Sequence, residues 1–279
     1  MKVLEQQIMK EYSNMKIGGK AKRLIIVENK EEMKEAYEKY DSLLLLGNGT
    51  NLLLNDGYLD YNFVSTEKLN RIEKLEKNRV YVEAGVDLDT LLAFMEKENL
   101  SGIEKMAGIP GSIGGLTYMN GGAFGTEIFD FIDEIEVLTE RNIIQSIKKK
   151  DLYVRYRKTE IQEKKWIVLS VIFQFQTGFD KSTVEEIKKS REEKHPLDKP
   201  SLGSTFKNPE GDFAARLISE AGLKGRKVGG AQIAEKHPNF VLNLGEATFQ
   251  DILDTLDLVK KTVKEKFGVQ LEEEIIIIR

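Results

Sequence analysis

The sequence predicts an α+β fold of more than one lobe, and three observations lead there. The chain has 279 residues, enough for two or three lobes when a domain commonly needs ~100–150. Short apolar, strand-like runs alternate with charged, helix-like ones in the first part of the chain. A charged helix over residues 182–194 then leads into a separate C-terminal lobe. On this reading residues 1–179 form a ligand-binding domain of two lobes, about 1–66 and 67–179, and residues 180–279 form a smaller α+β domain.

Residues 22–27 (KRLIIV) read as an apolar strand, 30–39 as a charged helix, and 42–46 (SLLLL) as a buried strand that runs straight into Gly47. This rhythm predicts a sheet covered by helices. Residues 79–84 (RVYVEA) alternate as a strand does, and 89–99 place Leu91, Leu92 and Met95 at helical spacing. From Gly102 to Gly125 the glycines are too dense for a regular element and too patterned for a flexible linker. Further strands fall at 132–138 and at 166–175 (WIVLSVIFQF), the most β-like stretch of the chain. The C-terminal lobe carries another glycine-rich loop, helices over 212–221 and 248 to about 267, and a closing strand at 274–278.

Composition excludes several chemistries. Lys and Arg total 42 against 46 Asp and Glu, and the net charge of −4 leaves no basic surplus for nucleic acid. With no cysteine there is no disulfide, thiolate nucleophile, iron–sulfur cluster or cysteine zinc site. His195 and His237 are too few for a metal site, so none is expected. No apolar run approaches the ~20 residues of a membrane span, and MKVLEQQIMKEY is unlike a secretory signal. The expectation is a cytoplasmic protein with no nucleic-acid or membrane partner. Nothing fixes the oligomeric state; a monomer is favoured.

Two loops could hold phosphate. In GNGTN (Gly47, Asn48, Gly49, Thr50, Asn51) glycines let the backbone turn sharply, and successive N–H groups can form an anion nest. Leu52 stands where the third Rossmann glycine would fall, and no Lys-Ser/Thr pair comes after it as in a P-loop. Alone, this loop reads more readily as a plain strand-to-loop turn than as a phosphate site. The second, AGIPGSIGGLTYMNGGAFG, crowds Gly108, Gly111, Gly114 and Gly115 around Pro110 and Ser112. Asn120, Gly121 and Gly125 extend the theme. Backbone-on-backbone packing is the plain alternative. So many glycines cost conformational entropy, which is easier to understand if the loop wraps a large flat ligand and its diphosphate. The pair points to a dinucleotide.

These two loops resemble the flavin-binding loops of the UDP-N-acetylenolpyruvoylglucosamine reductase family, within the vanillyl-alcohol-oxidase (PCMH) type of FAD proteins. The resemblance continues through YSNMKIGGKA, Tyr156–Arg157, HPLDKPSLGSTFKNP at 195–209, KVGGAQIAEKHPNFVLN at 227–243 and LEEEIIII near the end. It spans nearly the whole chain and is most similar to the shorter, second type. It implies non-covalent FAD held by two N-terminal lobes, and a C-terminal lobe that binds the sugar nucleotide. It also implies NADPH as co-substrate, with hydride transfer to an enolpyruvyl double bond in peptidoglycan precursor synthesis.

The resemblance also implies roles. Ser204, in GS-x-FKN, would protonate the carbon beside the substrate carboxylate. Arg157 would pair with that carboxylate, which a guanidinium fork suits. Glu274 would be the catalytic glutamate of the LE-x-E ending. Strand alternation puts Glu272 and Glu274 on one face and Glu273 on the other. Tyr156, Arg191, Gly203, Lys207 and Asn208 would bind substrate, Arg191 more weakly than the others. Three positions depart from the family: Lys158-Thr159 in place of Asp-Ser, Glu273 in place of proline, and Leu202 in place of a small residue. A different oxidoreductase of the same superfamily, or a non-catalytic nucleotide-binding module, are the alternative functions.

Overall fold

The computed structural model describes all 279 residues. The chain forms two compact units, and neither is one stretch of sequence. The first comprises residues 1–5, 23–48 and 61–191; the second comprises 6–22, 49–60 and 192–279. Residues 180–191 thus join the first unit, and two N-terminal segments join the unit built on the C-terminus.

The first unit holds two sheets. One runs in the order Lys2–Glu5, Lys20–Ile26, Tyr58–Ser65, Leu43–Leu46; Leu43–Leu46 lies parallel to its neighbour, and Lys2–Glu5 antiparallel to its own. The helix Lys30–Lys39 covers it. Asn29 caps that helix by accepting the Glu32 N–H at 2.9 Å, and Met33 and Ala36 pack among Ile25, Val27 and Val64. The other sheet has five antiparallel strands: Ile144–Lys148, Ile132–Leu138, Ile167–Gln174, Arg79–Glu83 and Ile72–Lys74. Alternation turns Val80 and Val82 inward, and Leu88, Leu91, Leu92 and Met95 of the helix Leu88–Glu98 complete that core.

The glycine-dense run contains a helix, Ile113–Met119, that its composition argues against. Tertiary contact overrides propensity here. Ser112 caps it by accepting the Gly115 N–H at 3.3 Å, and the Gly114 N–H donates to the Ala84 carbonyl at 2.8 Å. A Cβ on Gly114 would lie 2.8 Å from the Ala84 Cβ, so only glycine lets the helix sit so close to the strand.

The second unit has a four-stranded antiparallel sheet ordered Ser201–Ser204, Phe240–Asn243, Ala231–Ile233, Lys227–Val228. These strands are too short for sequence periodicity to reveal. The helices Ala214–Glu220 and Phe249–Phe267 pack with them. Thr248 and Asp251 form a capping box at the start of the longer helix, and Gly268 ends it at a φ of 71°. Ile252, Leu256, Val259 and Val263 repeat at helical spacing and are buried, each worth about 1.5–3 kcal/mol of burial. The final strand, Ile276–Ile278, runs parallel to Leu52–Leu54. No helix is long and apolar enough to cross a membrane.

Candidate active site

Gly47 of the first glycine-rich loop meets Ser112 of the second within the first unit. The strand Leu43–Leu46 delivers Gly47 so close to Ser112 that a Cβ on Gly47 would lie 2.6 Å from the Ser112 Oγ. Ser112 is buried, and the exposed Gly115 has only that Oγ near its missing Cβ, at 3.5 Å. Gly47, Ser112 and Gly115 therefore form a cradle around one hydroxyl, which side chains on either glycine would fill. Gly108 and Gly111 carry φ values of 75° and 144°, the conformations that favour glycine. Pro110, between them, and Asn48, next to Gly47, are exposed.

Other glycines of the two loops have plainer reasons. A Cβ on Gly121 would meet Leu116 Cδ2 at 2.7 Å, and one on Gly49 would lie 1.8 Å from the Tyr12 carbonyl oxygen. Gly125, with Phe124, forms the two-residue turn of a hairpin; their φ values are 74° and 52°, the positive pair of a type I′ turn. Asn120 is buried at a φ of 45°, and its Nδ2 donates to the Glu127 carboxylate at 2.7 Å and to the Arg155 carbonyl at 3.1 Å.

Arg157 holds the far end of the second loop. It is the second residue of a tight hairpin turn after Tyr156, between Arg155 and Lys158, at a φ of 53°. That is a costly conformation for a non-glycine residue. Its Nη1 donates to the Asn120 carbonyl and its Nη2 to the Gly122 carbonyl, both at 2.9 Å. The guanidinium also lies 4.8 Å from the Tyr156 ring centroid. Thr159, at a position where the sequence departs from the family, is buried and donates to the Tyr118 carbonyl at 2.8 Å. Burial raises the Tyr118 phenol above its usual range.

Arg191 is the least expected feature of this unit. Its side chain is 8% exposed, yet neither Nε nor Nη2 has a hydrogen-bond partner in the protein. Its Cδ would touch a Cβ on Gly108 at 3.0 Å, and its guanidinium lies 5.5 Å from the Phe124 ring centroid. Burial pulls its pKa below the usual arginine range. A buried cation without a partner anion is costly, and a ligand's diphosphate would offset that cost. Together with the Gly47–Ser112–Gly115 cradle, this residue fits a dinucleotide such as FAD.

In the second unit, Gly203 and Ser204 sit at a β-bulge. The strand Ser201–Ser204 shifts register against Phe240–Asn243 between Ser201 and Ser204. Gly203 takes a φ of 71°, and nothing lies within 4 Å of where its Cβ would be. Such a bulge re-aims the next side chain. Leu202, a further departure from the family, fills the core beneath it at 5% exposure. Asn239 fixes the backbone just beyond the bulge: its Oδ1 accepts the Phe206 N–H at 3.0 Å and its Nδ2 donates to the Phe206 carbonyl at 2.8 Å.

The three consecutive glutamates separate clearly. The Glu274 N–H donates to the Thr205 carbonyl at 2.8 Å, and the Lys207 N–H donates to the Glu272 carbonyl at 2.9 Å. The strand end therefore lies antiparallel to the segment after Ser204. Glu272 is exposed and lies 3.5 Å from Lys207 Nζ, a pairing of little energetic weight. Glu273 turns the other way and meets Lys260 Nζ at 2.7 Å. Asn208 Oδ1 accepts the Ala214 N–H at 3.1 Å and so steadies a helix start.

Asn51, expected among the cofactor residues, belongs to the second unit. Its Nδ2 donates to the Glu274 carbonyl at 3.1 Å, and its own carbonyl accepts the Ile276 N–H at 2.9 Å. The sequence offers no signal for this pairing. His195 stacks on Phe240 at 5.2 Å, and His237 meets both rings edge-on at 5.1 and 4.9 Å. Burial holds the His237 imidazole below its ordinary pKa. No group of three or more His, Cys, Asp or Glu side chains could hold a metal ion.

Two family models match this chain. One, described as FAD binding domain, covers residues 24–147, and the other, UDP-N-acetylenolpyruvoylglucosamine reductase, C-terminal domain, covers 195–278. The UDP-N-acetylenolpyruvoylglucosamine reductase of Fusobacterium nucleatum subsp. nucleatum is 65% identical over 281 residues, with 100% of both chains covered. That of Thermotoga maritima is 39% identical over 270 residues, covering 95% of this chain and 94% of its own. The crystal structure of UDP-N-acetylenolpyruvylglucosamine reductase from Thermus caldophilus matches with a TM-score of 0.86 at 31% identity, with 100% of both chains covered.

Proposed function

The chain belongs to the UDP-N-acetylenolpyruvoylglucosamine reductase family, and from this premise we propose which residues carry the reaction. It is an FAD-dependent oxidoreductase of peptidoglycan precursor synthesis that acts on a UDP-sugar with NADPH. Bound FAD supplies the hydride carrier that no side chain can supply.

The observation that carries the assignment of roles is the backbone link between the Ser204 segment and Glu274. The Glu274 N–H donates to Thr205, next to Ser204, at 2.8 Å, and Gly203 opens the backbone at the bulge. Ser204 donates the proton to the carbon beside the substrate carboxylate. An alcohol is a weak acid, but an enolate-type carbon is basic enough to take its proton when the donor is held close. Glu274 orients that step. Arg157 presents its guanidinium to the substrate carboxylate, where negative charge grows as hydride arrives. Its bonds to Asn120 and Gly122 fix the plane of the fork.

The first unit holds the flavin. Gly47, Gly108, Pro110, Gly111, Ser112, Gly114 and Gly115 would hold it, with Asn48, Asn120, Gly121 and Gly125 shaping the loops there; Gly49 and Thr50 continue the first loop within the second unit. Arg191, which the resemblance implies as a substrate residue, is here given to the flavin diphosphate, because its buried side chain lies against Gly108 of the second loop. The second unit binds the sugar nucleotide through Gly203, Lys207 and Asn208, and Tyr156 is a further substrate residue. A sugar nucleotide and NADPH as substrates go with a cytoplasmic location, and a monomer completes the reading.

The test is direct. Purified protein is expected to be yellow, and NADPH is expected to bleach it. UDP-N-acetylglucosamine enolpyruvate is then expected to restore the colour with formation of the lactyl ether. A flavin that NADPH reduces but this substrate never reoxidises contradicts the proposal.

A further inference from the structure

Glu274 is held through the backbone on both sides. Its N–H donates to Thr205, and its carbonyl accepts from Asn51 Nδ2 at 3.1 Å. The Asn51 carbonyl then takes the Ile276 N–H at 2.9 Å, so one asparagine brackets Ile275 from a segment more than 200 positions away. A third contact comes from the long helix Phe249–Phe267. Lys260 Nζ meets Glu273 Oε1 at 2.7 Å and Asp257 Oδ1 at 3.0 Å. Adjacent residues of an extended chain face opposite ways, so anchoring Glu273 to Lys260 fixes the face on which Glu274 stands.

We infer that Asn51 and Lys260 are positioning residues for Glu274, acting on its backbone and on its neighbour. Asn51 thereby serves the proton-transfer side of the reaction, although its loop reads as a cofactor loop. The inference rests on the role of Glu274 proposed above. The physical reason is that general acid–base steps tolerate little misplacement, so a carboxylate on a loosened strand end loses rate without loss of fold.

The two variants reach Glu274 by independent routes. Asn51→Asp keeps the shape but sets a carboxylate oxygen against the Glu274 carbonyl. Lys260→Met keeps length and removes the ammonium, and Lys260 lies in no glycine-rich loop. In both, the expected result is unchanged FAD affinity and unchanged bleaching by NADPH. Reoxidation by UDP-N-acetylglucosamine enolpyruvate is expected to slow about tenfold to a hundredfold. Faster hydrogen exchange at the Glu274 and Ile276 amides is expected in the flavin-free protein, and Lys260→Arg is expected to restore the rate. Weakened FAD binding in Asn51→Asp together with a normal Lys260→Met would overturn the inference and return Asn51 to the cofactor. Equal slowing of both half-reactions would overturn it as well. Glu274→Gln separates the two levels: if it leaves reoxidation intact, the role of Glu274 itself fails; if it abolishes reoxidation while both positioning variants react normally, only this inference fails.

Discussion

Gly47 and Ser112 lie so close that a single methyl group on the glycine would fall 2.6 Å from the serine Oγ. The first loop can reach the second only because position 47 lacks a side chain. That hydroxyl cannot simply swing aside, because it caps the helix Ile113–Met119.

Gly47→Ala is therefore expected to break the Ser112 cap, at about 1–2 kcal/mol, and to weaken FAD binding. Adding Ser112→Gly removes the obstructing oxygen, and the double variant is expected to bind FAD better than Gly47→Ala alone. Titrating the apoprotein with FAD and monitoring its fluorescence checks this. Strict additivity of the two changes would show that the loops do not meet here.

Arg191 makes a prediction with opposite signs in two measurements. Arg191→Met removes a buried, unpartnered cation, so the flavin-free protein is expected to melt at a higher temperature. The same change is expected to weaken FAD binding about tenfold to a hundredfold, as befits loss of a charged hydrogen bond. A variant that melts lower and binds FAD normally would make Arg191 a structural residue.

At Arg157, lysine keeps the charge but cannot reach two carbonyls and a carboxylate as a planar fork does. Arg157→Lys is expected to lower kcat/KM for the enolpyruvyl substrate about a hundredfold, or about 2.7 kcal/mol. NADPH should still reduce the flavin. Arg155→Lys, whose side chain lies over Tyr153 at 4.9 Å, is the control and is expected to stay within about twofold of the parent.

His237 sets a pH dependence. Burial lowers its pKa in the folded state below the ordinary 6.5, so the unfolded chain takes up the proton first. The stability it confers is present above about pH 6.5 and is lost as pH falls from there toward the folded-state value. Melting temperature is expected to decline below pH 6.5 in the parent and to decline less in His237→Gln. Parallel declines in the two proteins would exclude this histidine as the cause.

Much of the fold was legible in the amino-acid order, and the exceptions have physical causes. Residues 30–39 and 132–138 carry their own periodicity, and the elements there have those bounds. The helix Ile113–Met119 was not legible, because Gly114 and Gly115 lower helix propensity and only packing on Ala84 and the Ser112 cap make up for it. Nor was the regrouping of residues 6–22 and 49–60 with the C-terminal unit, since strand pairing such as Leu52 with Ile276 spans most of the chain. At the candidate site, motifs pointed to Arg157, Ser204 and Glu274. They could not tell that Arg191 is buried without a partner, or that Glu272 and Glu273 turn toward different lysines. Those facts depend on tertiary contact.

The central claim, that Ser204 delivers the proton while flavin held by the glycine-rich loops supplies the hydride, is tested most directly by recording both half-reactions of Ser204→Ala in a stopped-flow spectrometer. NADPH is expected to bleach the flavin at the parent rate, whereas its reoxidation by UDP-N-acetylglucosamine enolpyruvate is expected to fall by at least about a hundredfold. Equal slowing of the two steps, or undiminished reoxidation, would contradict the account.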